Sequence, residues 1–370
     1  MYLNIRRIDR DTIIIDFPKP VEVVATVRVP SMKSVETKYI KHAIFKHVQK
    51  GFHKENIIDY YKEILKALDL ESGLIFLTSV SMDEIQKIEE NFSEIIMTIG
   101  LEPPVCIDYE KVYEPLSIIG TINILIYVNL PLAREAIVDL LKTAIEAKTA
   151  ASSDLLLRCR SRAVGTVTDA IAVAKPYDLE EKILFSGMAT TIGNNIAKAI
   201  YNTIVSTGIR KGVNWMLRNC IGYDVEDLLL LFKELYTLAP IPNISIDKAI
   251  EKIRGIIYKT LKDPNIWSFI IAARELDIRG AIGMISGLAK NEYENDTVKI
   301  VADEILGLSL ALYIGGAKAL FSMYWVENIK KMGKLKYNVM GLYADDIISA
   351  LLGSLYTLLI EEVNRNDIDG

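Results

Sequence analysis

The sequence has few of the residues that build metal sites. Its 370 residues include three cysteines and three histidines. The cysteines form no C-x-x-C pair, and the spacing of His42, His47 and His53 does not place them on one face of a helix. Zinc sites need closely spaced ligands of these types. The sequence therefore argues against a zinc centre.

The chain also lacks an excess of charge of either sign. It carries 43 basic and 48 acidic residues, and no basic stripe is interleaved with aromatic residues. This balance gives no reason to expect a nucleic-acid partner. Charges interrupt every apolar stretch of the N-terminal sequence MYLNIRRIDRDTIII, which is not the layout of a signal peptide. We therefore expect a cytoplasmic protein.

Long apolar runs are missing as well. The mean hydropathy is high, at +0.23. However, the apolar segments at 305–317 and 347–360 are shorter than the ~20 residues that a membrane-spanning helix needs. Buried core helices are the favoured interpretation of both segments, and membrane contact is the less favoured one.

Strand-like and helix-like segments alternate in the first part of the chain. Two β-branched runs on either side of Pro18–Pro20 predict a hairpin. Ser81 and Glu84 form a capping-box pattern that predicts a helix after them. Further strands are expected at 117–128 and 163–174, so this part should be an α/β or α+β layered domain.

Beyond this region the strand patterns give way to helical periodicity. Segments of helix length with an apolar stripe follow one another to the end of the chain. The sequence therefore predicts two domains, a layered one over 1–207 and an all-α one over 208–370, both of ordinary domain size.

A lysine interrupts the apolar stripe of the helix predicted after residue 131. Lys148 stands between Ala144 and Ala151 at helical spacing. An ammonium on a buried face needs a partner or a cavity. Alternatively, the lysine side chain could extend along Ala144 and Ala151 and place its ammonium in solvent.

Two polar patches fall on predicted strands next to this helix. In GTIN (120–123), Thr121 and Asn123 share one face of a strand. In GTVTDA (165–170), Thr166 and Thr168 share one face and Asp169 lies on the other. A carboxylate and a lysine brought together here would suit catalysis. The structural alternative is that Asp169 only caps a turn.

The order of these segments resembles that of adenosylcobinamide amidohydrolases (the CbiZ type) over about residues 20–205. The resemblance is strongest at Gly120–Asn123, Glu146–Thr149 and Gly165–Asp169. Such enzymes cleave the aminopropanol amide of adenosylcobinamide and leave adenosylcobyric acid. One departure lies at 27–45, where the sequence VRVPSMKSVETKYIKHAIF lacks the glycines usual in the family.

The resemblance implies roles for these residues in an amide hydrolysis that needs no assigned cofactor. Lys148 would stabilise an oxyanion, while Asp169 or Glu146 would activate water. Thr121 or Thr166 as a nucleophile is the other route. The residues expected to bind the corrinoid substrate are Gly120, Asn123, Thr149, Gly165 and Thr168.

Four acids stand out in the C-terminal half, namely Asp303, Glu304, Asp345 and Asp346. Glu304 and Asp346 fall on apolar faces of predicted helices, where carboxylates are costly unless they share a cation. Oxygen ligands suit Mg²⁺, and Mg²⁺ suits phosphate chemistry. The alternative for Asp345 and Asp346 is that they open a helix.

Residues 215–370 resemble the helical archaeal α-ribazole-5′-phosphate phosphatases (the CobZ type), which are related to phosphatidylglycerophosphatase A. The chain departs from that family after Phe321, where Ser322 replaces an arginine and an aspartate is missing. Glu327 is the candidate replacement for the acid, and Lys330 or Lys331 for the cation.

Together the two resemblances imply a bifunctional cobamide-salvage enzyme of the CbiS type. It would hydrolyse adenosylcobinamide in one domain and dephosphorylate α-ribazole 5′-phosphate with Mg²⁺ in the other. Two alternatives remain, a membrane-associated lipid phosphatase and a corrinoid-binding module without activity. The sequence leaves open whether the chain forms a homo-oligomer.

Overall fold

A computed structural model describes residues 3–27, 30, 39–49, 52, 54, 56–108, 121–339 and 341–368. The chain divides into two compact units. One consists of Met1–Leu157 with Ala163–Arg210, and the other of Lys211–Gly370 together with the short segment Arg158–Arg162. We call them the sheet unit and the helical unit.

The sheet unit is built on ten strands. In chain order they are β1 (Asn4–Arg7), β2 (Thr12–Ala25), β3 (Ile40–His47), β4 (Leu74–Thr78), β5 (Gln86–Glu90), β6 (Ser93–Ile99), β7 (Pro104–Cys106), β8 (Ile122–Val128), β9 (Ala163–Thr166) and β10 (Ala170–Pro176). Eight of them form a mixed sheet in the order β4-β3-β2-β10-β8-β6-β5, with β1 also paired to β2. The strands β7 and β9 form a separate antiparallel pair.

The central strands β8 and β10 run parallel, and Asn123 pairs with Ala170 at their start. Every residue of both strands is buried. Strands covered on both faces read as continuous apolar runs, which is why their sequences show little alternation. Because β8 and β10 are parallel, their N-terminal ends lie side by side at the same end of the sheet.

Three helices complete the sheet unit: α1 (Ile57–Ala67), α2 (Arg134–Asp154) and α3 (Thr191–Arg210). Ile64 and Leu65 of α1 pack on one face of the sheet, against Ile14, Ile44 and Ile75. The long helix α2 connects β8 to the β9–β10 segment and packs on α3, β9 and β10. Because β8 and β10 are parallel, α2 must return the chain to the edge where both strands begin.

The helical unit contains seven helices among the described residues: α4 (Val213–Ile221), α5 (Val225–Leu238), α6 (Ile246–Thr260), α7 (Pro264–Ala281), α8 (Lys290–Glu294), α9 (Ala302–Lys331) and α10 (Leu342–Ile368). Side chains at the N-caps of α5, α6 and α7 accept backbone N–H groups; the residues are Asp224, Ser245 and Asp263. The predicted combination of a layered α/β part and an all-α part is confirmed.

Helix α9 is interrupted at Gly316, whose φ of 66° and ψ of −161° are not helical. Within the described part of the chain, α9 is the one helix long and apolar enough to cross a membrane. Only 22% of its most apolar 18-residue stretch is buried.

Two local predictions are wrong. The runs around Pro18–Pro20 do not form a hairpin, because β2 passes straight through them with an irregular register between Asp16 and Val21. Residues after Ser81 form a short 3-10 turn, Met82–Glu84, followed by the edge strand β5 rather than a helix. In both places pairing with a neighbouring strand outweighs the local signal.

The start of α10 is held by a carboxylate from α7. Asp277 accepts the backbone N–H groups of Tyr343 and Ala344 at 2.8 and 2.9 Å, and the Tyr293 hydroxyl at 2.7 Å. A Cβ at Gly341 would overlap this carboxylate. Burial raises the pKa of Asp277 to about 6, although these hydrogen bonds oppose the shift.

We predict a pH-dependent difference between the wild-type chain and Asp277→Asn. The pKa of Asp277 in the folded protein is about 6, against 3.8 for the ordinary group, so its contribution to stability is fully present below about pH 4 and is lost as the pH rises to about 6. The asparagine variant does not titrate. The stability of the wild type relative to the variant should therefore decrease across this window, as measured by denaturant unfolding. A difference that stays constant from about pH 4 to about pH 6 would contradict the assignment.

Candidate active site

Asp169 lies at the sheet edge where β8 and β10 begin, and four donors reach its carboxylate. One oxygen accepts the backbone N–H of Ile122 at 2.9 Å and the Thr166 hydroxyl at 2.5 Å. The other accepts the Lys148 ammonium at 2.5 Å and the backbone N–H of Thr166 at 3.0 Å. The carboxylate therefore joins β8, the end of β9 and α2.

Lys148 is the buried lysine whose place on the apolar stripe the sequence did not explain. Its side chain is 11% exposed, that of Asp169 is 10% exposed, and their ion pair is the partner that a buried ammonium requires. The side chain therefore does not extend to solvent along Ala144 and Ala151. A lysine ammonium can donate three hydrogen bonds, and the contact with Asp169 uses one of them.

Gly165 makes this arrangement sterically feasible. Its φ is +147°, which side-chain-bearing residues rarely adopt, and a Cβ there would overlap both the Asp169 carboxylate and the Lys148 ammonium. Gly165 was predicted to contact substrate. In the structure, the absence of a Cβ at Gly165 leaves the space in which these two side chains form their ion pair.

Thr121 and Asn123 lie beside this cluster on one face of β8. The Thr121 hydroxyl is 2.9 Å from the Thr168 carbonyl and 3.0 Å from the Asn123 side-chain oxygen. The amide of Asn123 donates to the Leu77 carbonyl at 2.9 Å. Both side chains are buried, and they share their face with Leu125 and Tyr127 of the apolar core.

Sequence reasoning missed Thr98, which pairs with Asn123 across β6 and β8. Thr98 is fully buried, and its hydroxyl has no hydrogen-bond partner among the described residues. A single threonine in the apolar run EIIMTIG carries no recognisable pattern. Only the cross-strand register places it beside the predicted site.

The other residues predicted for this site are placed differently. Thr149 donates to the Val164 carbonyl at 3.3 Å and so ties α2 to β9, while Thr168 is exposed and contributes its carbonyl group. Glu146 is exposed, about 200° around the helix from Lys148. Gly120 lies outside the described residues.

The acids predicted to bind metal lie on α9 and α10 of the helical unit. Asp303 and Asp346 are buried, and the side chain of Asp345 forms an ion pair with Lys330. Glu304 is exposed and follows Asp303 directly in the chain. Lys330 also lies 3.1 Å from Glu327.

Burial and mutual repulsion act on these carboxyl groups. Burial, followed by the charges of Glu327, Asp303 and Asp345, raises the pKa of Asp346 to about 8. Burial and the neighbouring Glu304 raise the pKa of Asp303 to about 6, and one Asp303 oxygen has no hydrogen-bond partner among the described residues.

The donor chemistry of these acids suits Mg²⁺, because all of them offer oxygen ligands. Their placement is less favourable. In the described part of the chain, no three His, Cys, Asp or Glu side chains lie close enough together to hold a metal ion. The acids therefore suit a divalent cation by charge and ligand type but not by their present positions. To bind one, their side chains would have to move closer together.

We expect Gly165→Ala to separate Lys148 from Asp169. Gly212→Ala is the matched control, because Gly212 also has a positive φ (86°) but a Cβ there would meet nothing within 4 Å. Backbone strain should cost each variant roughly 1 kcal/mol. Gly165→Ala should lose clearly more stability than the control, measured by thermal unfolding. Equal losses would show that Gly165 is needed only for its backbone conformation.

Comparison with known proteins points to one family. Residues 2–214 match the family model of adenosylcobinamide amidohydrolases, CbiZ. The uncharacterized protein MJ1330 of Methanocaldococcus jannaschii is 32% identical over 32% of this chain and 91% of its own length. The adenosylcobinamide amidohydrolase of Methanosarcina mazei is 25% identical over 45% of this chain and 81% of its own length.

A solved structure, the low temperature requirement C protein from Listeria monocytogenes, is 19% identical and covers 43% of this chain and 93% of its own. Its TM-score of 0.32 carries no argument about fold. The family model, in contrast, spans more than half of the chain and includes the whole cluster around Asp169. The chain therefore belongs to the adenosylcobinamide amidohydrolase (CbiZ) family.

Proposed function

We propose that the sheet unit hydrolyses the aminopropanol amide of adenosylcobinamide at the cluster around Asp169. The observation that carries this proposal is the buried Lys148–Asp169 ion pair beside the Thr166 hydroxyl, inside the segment that matches the family model. The M. mazei relative bears the name of this activity. The corrinoid is thus the substrate, and no cofactor is assigned to this unit.

In this proposal Lys148 stabilises the oxyanion that forms on the amide carbonyl. A fixed cation in a site of low water content stabilises such a charge far more than a solvated one does. Asp169 holds the ammonium in place through a 2.5 Å contact. All four donors already engage Asp169, so it acts on this lysine and on Thr166 rather than on a free water molecule.

Thr166 is the best-placed nucleophile. Its hydroxyl donates to Asp169 at 2.5 Å, so the carboxylate can take its proton as the oxygen attacks the carbonyl. The amine of aminopropanol would leave with a proton, and water would release the acid from Thr166. Glu146 is exposed on the other side of α2, which argues against it as the base.

We expect Lys148→Ala to lower amide hydrolysis by at least ~10²-fold, because it removes a preorganised charge from the oxyanion. Lys142→Ala is the control, since Lys142 lies on the same helix but at the surface, paired with Asp139. The measurement follows adenosylcobyric acid formed from adenosylcobinamide by chromatography with mass detection. Equal rates in both variants would make Lys148 structural.

The same assay tests Thr166. Thr166→Val should abolish hydrolysis, whereas Thr203→Val, which removes only a bond to the Ala199 carbonyl on α3, should not. A quenched reaction should contain protein heavier by the corrinoid acyl group. Activity of Thr166→Val would favour attack by water. If the wild-type protein binds adenosylcobinamide without cleaving it, the sheet unit is a corrinoid-binding module.

We further propose that the helical unit dephosphorylates α-ribazole 5′-phosphate with Mg²⁺, which would make the chain bifunctional like the CbiS type. The buried acids on α9 and α10 favour this second function. Asp303, Asp345 and Asp346, with Glu304 beside them, would hold the cation, which would neutralise charge on the phosphoryl group. Glu327 and Lys330, which form an ion pair, lie in the segment where the sequence departs from the phosphatases that it resembles.

Asp346→Asn should abolish Mg²⁺-dependent phosphate release and leave amide hydrolysis unchanged. Glu361→Gln is the control, because Glu361 lies on the same helix and pairs with the surface residue Lys318. The assay measures inorganic phosphate from α-ribazole 5′-phosphate with and without Mg²⁺. Release from phosphatidylglycerophosphate, but not from α-ribazole 5′-phosphate, would favour the lipid phosphatase. No release from either substrate would reject the proposal.

A further inference from the structure

A groove opens on the helical unit between α6, the start of α7, α9 and α10. Its volume is about 1290 Å³, more than the roughly 300–1,000 Å³ of a typical small-molecule site. Buried or half-buried apolar side chains from all four helices line it: Ile256, Ile266, Ile314 and Leu358. The acids Asp303, Asp345 and Asp346 do not line it. The α6 groove, as we call it, is therefore separate from the proposed cation site.

Gly255 keeps the middle of the α6 groove open. It lies in the interior of α6, where glycine is less favourable than any residue except proline. Its φ lies outside the left-handed region, and an added Cβ would meet no atom within 4 Å. Neither backbone conformation nor close packing therefore requires a glycine. A larger side chain would project into the groove, so the open space is the feature that Gly255 preserves.

Lysines flank Gly255 along the same side of α6. At 100° per residue, Lys248, Lys252, Gly255 and Lys259 fall within an arc of about 60°. Lys252 forms an ion pair with Glu362 of α10. Lys248 and Lys259 form no ion pair among the described residues. Two ammonium groups beside the open space therefore remain uncompensated.

The acids that line the groove are mostly engaged elsewhere. Glu361 pairs with Lys318, and Asp263 caps the start of α7. In the described part of the chain, Glu251 is the one lining acid without such a contact. The lining cations without an ion pair number three: Lys248, Lys259 and Arg365. The α6 groove therefore carries an excess of positive charge.

Tyr313 of α9 supplies an aromatic wall of the groove. Its hydroxyl donates to Asp263 at 2.9 Å and accepts the side-chain amide of Asn265 at 2.8 Å. These bonds hold the ring against the start of α7, yet the residue is 48% exposed. A fixed ring beside apolar side chains and uncompensated cations suits a ligand with a flat apolar body and a negative charge.

We propose that the α6 groove binds a small aromatic anion. The flat body of the ligand lies over Gly255 beside Tyr313, and Lys259, one helical turn from Gly255, binds its charge. The site does not depend on either proposed activity.

Fluorescence titration of the full chain with 8-anilinonaphthalene-1-sulfonate, an aromatic anion, tests this assignment. The wild type should bind the dye saturably. Gly255→Trp should weaken binding by at least ~100-fold, because the indole fills the groove. Gly255→Ala adds only a Cβ in open space and should bind within ~3-fold of the wild type. Both variants should raise the melting temperature, since alanine and tryptophan favour a helix more than glycine does. Lost binding would then not reflect unfolding.

A charge reversal tests the role of Lys259. Lys259→Glu should weaken dye binding by at least ~10-fold, because it replaces attraction of the anion by repulsion. Lys233→Glu is the matched control: Lys233 is exposed on α5 and does not line the groove, and the net charge changes equally. It should bind the dye as the wild type does.

Competition tests the two parts of the ligand. Naphthalene-1-sulfonate should displace the dye, whereas inorganic sulfate and neutral 1-naphthol should not, because each offers only the charge or only the ring. Absence of saturable binding would overturn the proposal. So would binding that Gly255→Trp leaves unchanged, an equal loss in Lys233→Glu, or displacement by sulfate or 1-naphthol alone.

Discussion

The carboxylate of Asp169 is the point on which the site of the sheet unit depends. It accepts a backbone N–H from the start of β8, a backbone N–H and a hydroxyl from Thr166, and the ammonium of Lys148. Removing a buried carboxylate would leave all these donors without a partner, and such groups are costly. The same contacts that fix the fold at this edge also fix a cation beside a hydroxyl. The buried contacts of Asp169 therefore serve both the stability of the fold and the proposed chemistry.

The sequence allowed part of this site to be predicted. An ammonium on an apolar helical stripe signals a partner, and the nearby carboxylate at Asp169 supplies it. Glu146 was predicted from the same short motif, yet it is exposed, because a two-residue separation turns a helical side chain to the other side. Thr98 was missed because its place beside Asn123 follows from strand register, which a single strand's sequence does not encode.

The fold class was also predictable from the sequence. The long, periodic helices and the buried parallel strands carry strong local signals. The two wrong elements are short and ambiguous. Pro18 and Pro20 suggested a hairpin, but β2 continues through them with a register shift. The capping-box residues after Ser81 form only a 3-10 turn before β5 pairs with β6. In both places a neighbouring strand supplies hydrogen bonds that local propensity does not anticipate.

The buried charges of the helical unit are not balanced as those of the sheet unit are. Lys148 and Asp169 neutralise each other, whereas Asp303 and Asp346 are buried near further acids, and Lys330 is engaged by Asp345 and Glu327. Desolvated carboxylates without enough cations raise one another's pKa values, as they do at Asp346. Such a group persists in a fold only at a cost in stability. A divalent cation would remove that cost only if these side chains converged, because no three of the described His, Cys, Asp or Glu side chains lie close enough together to hold one.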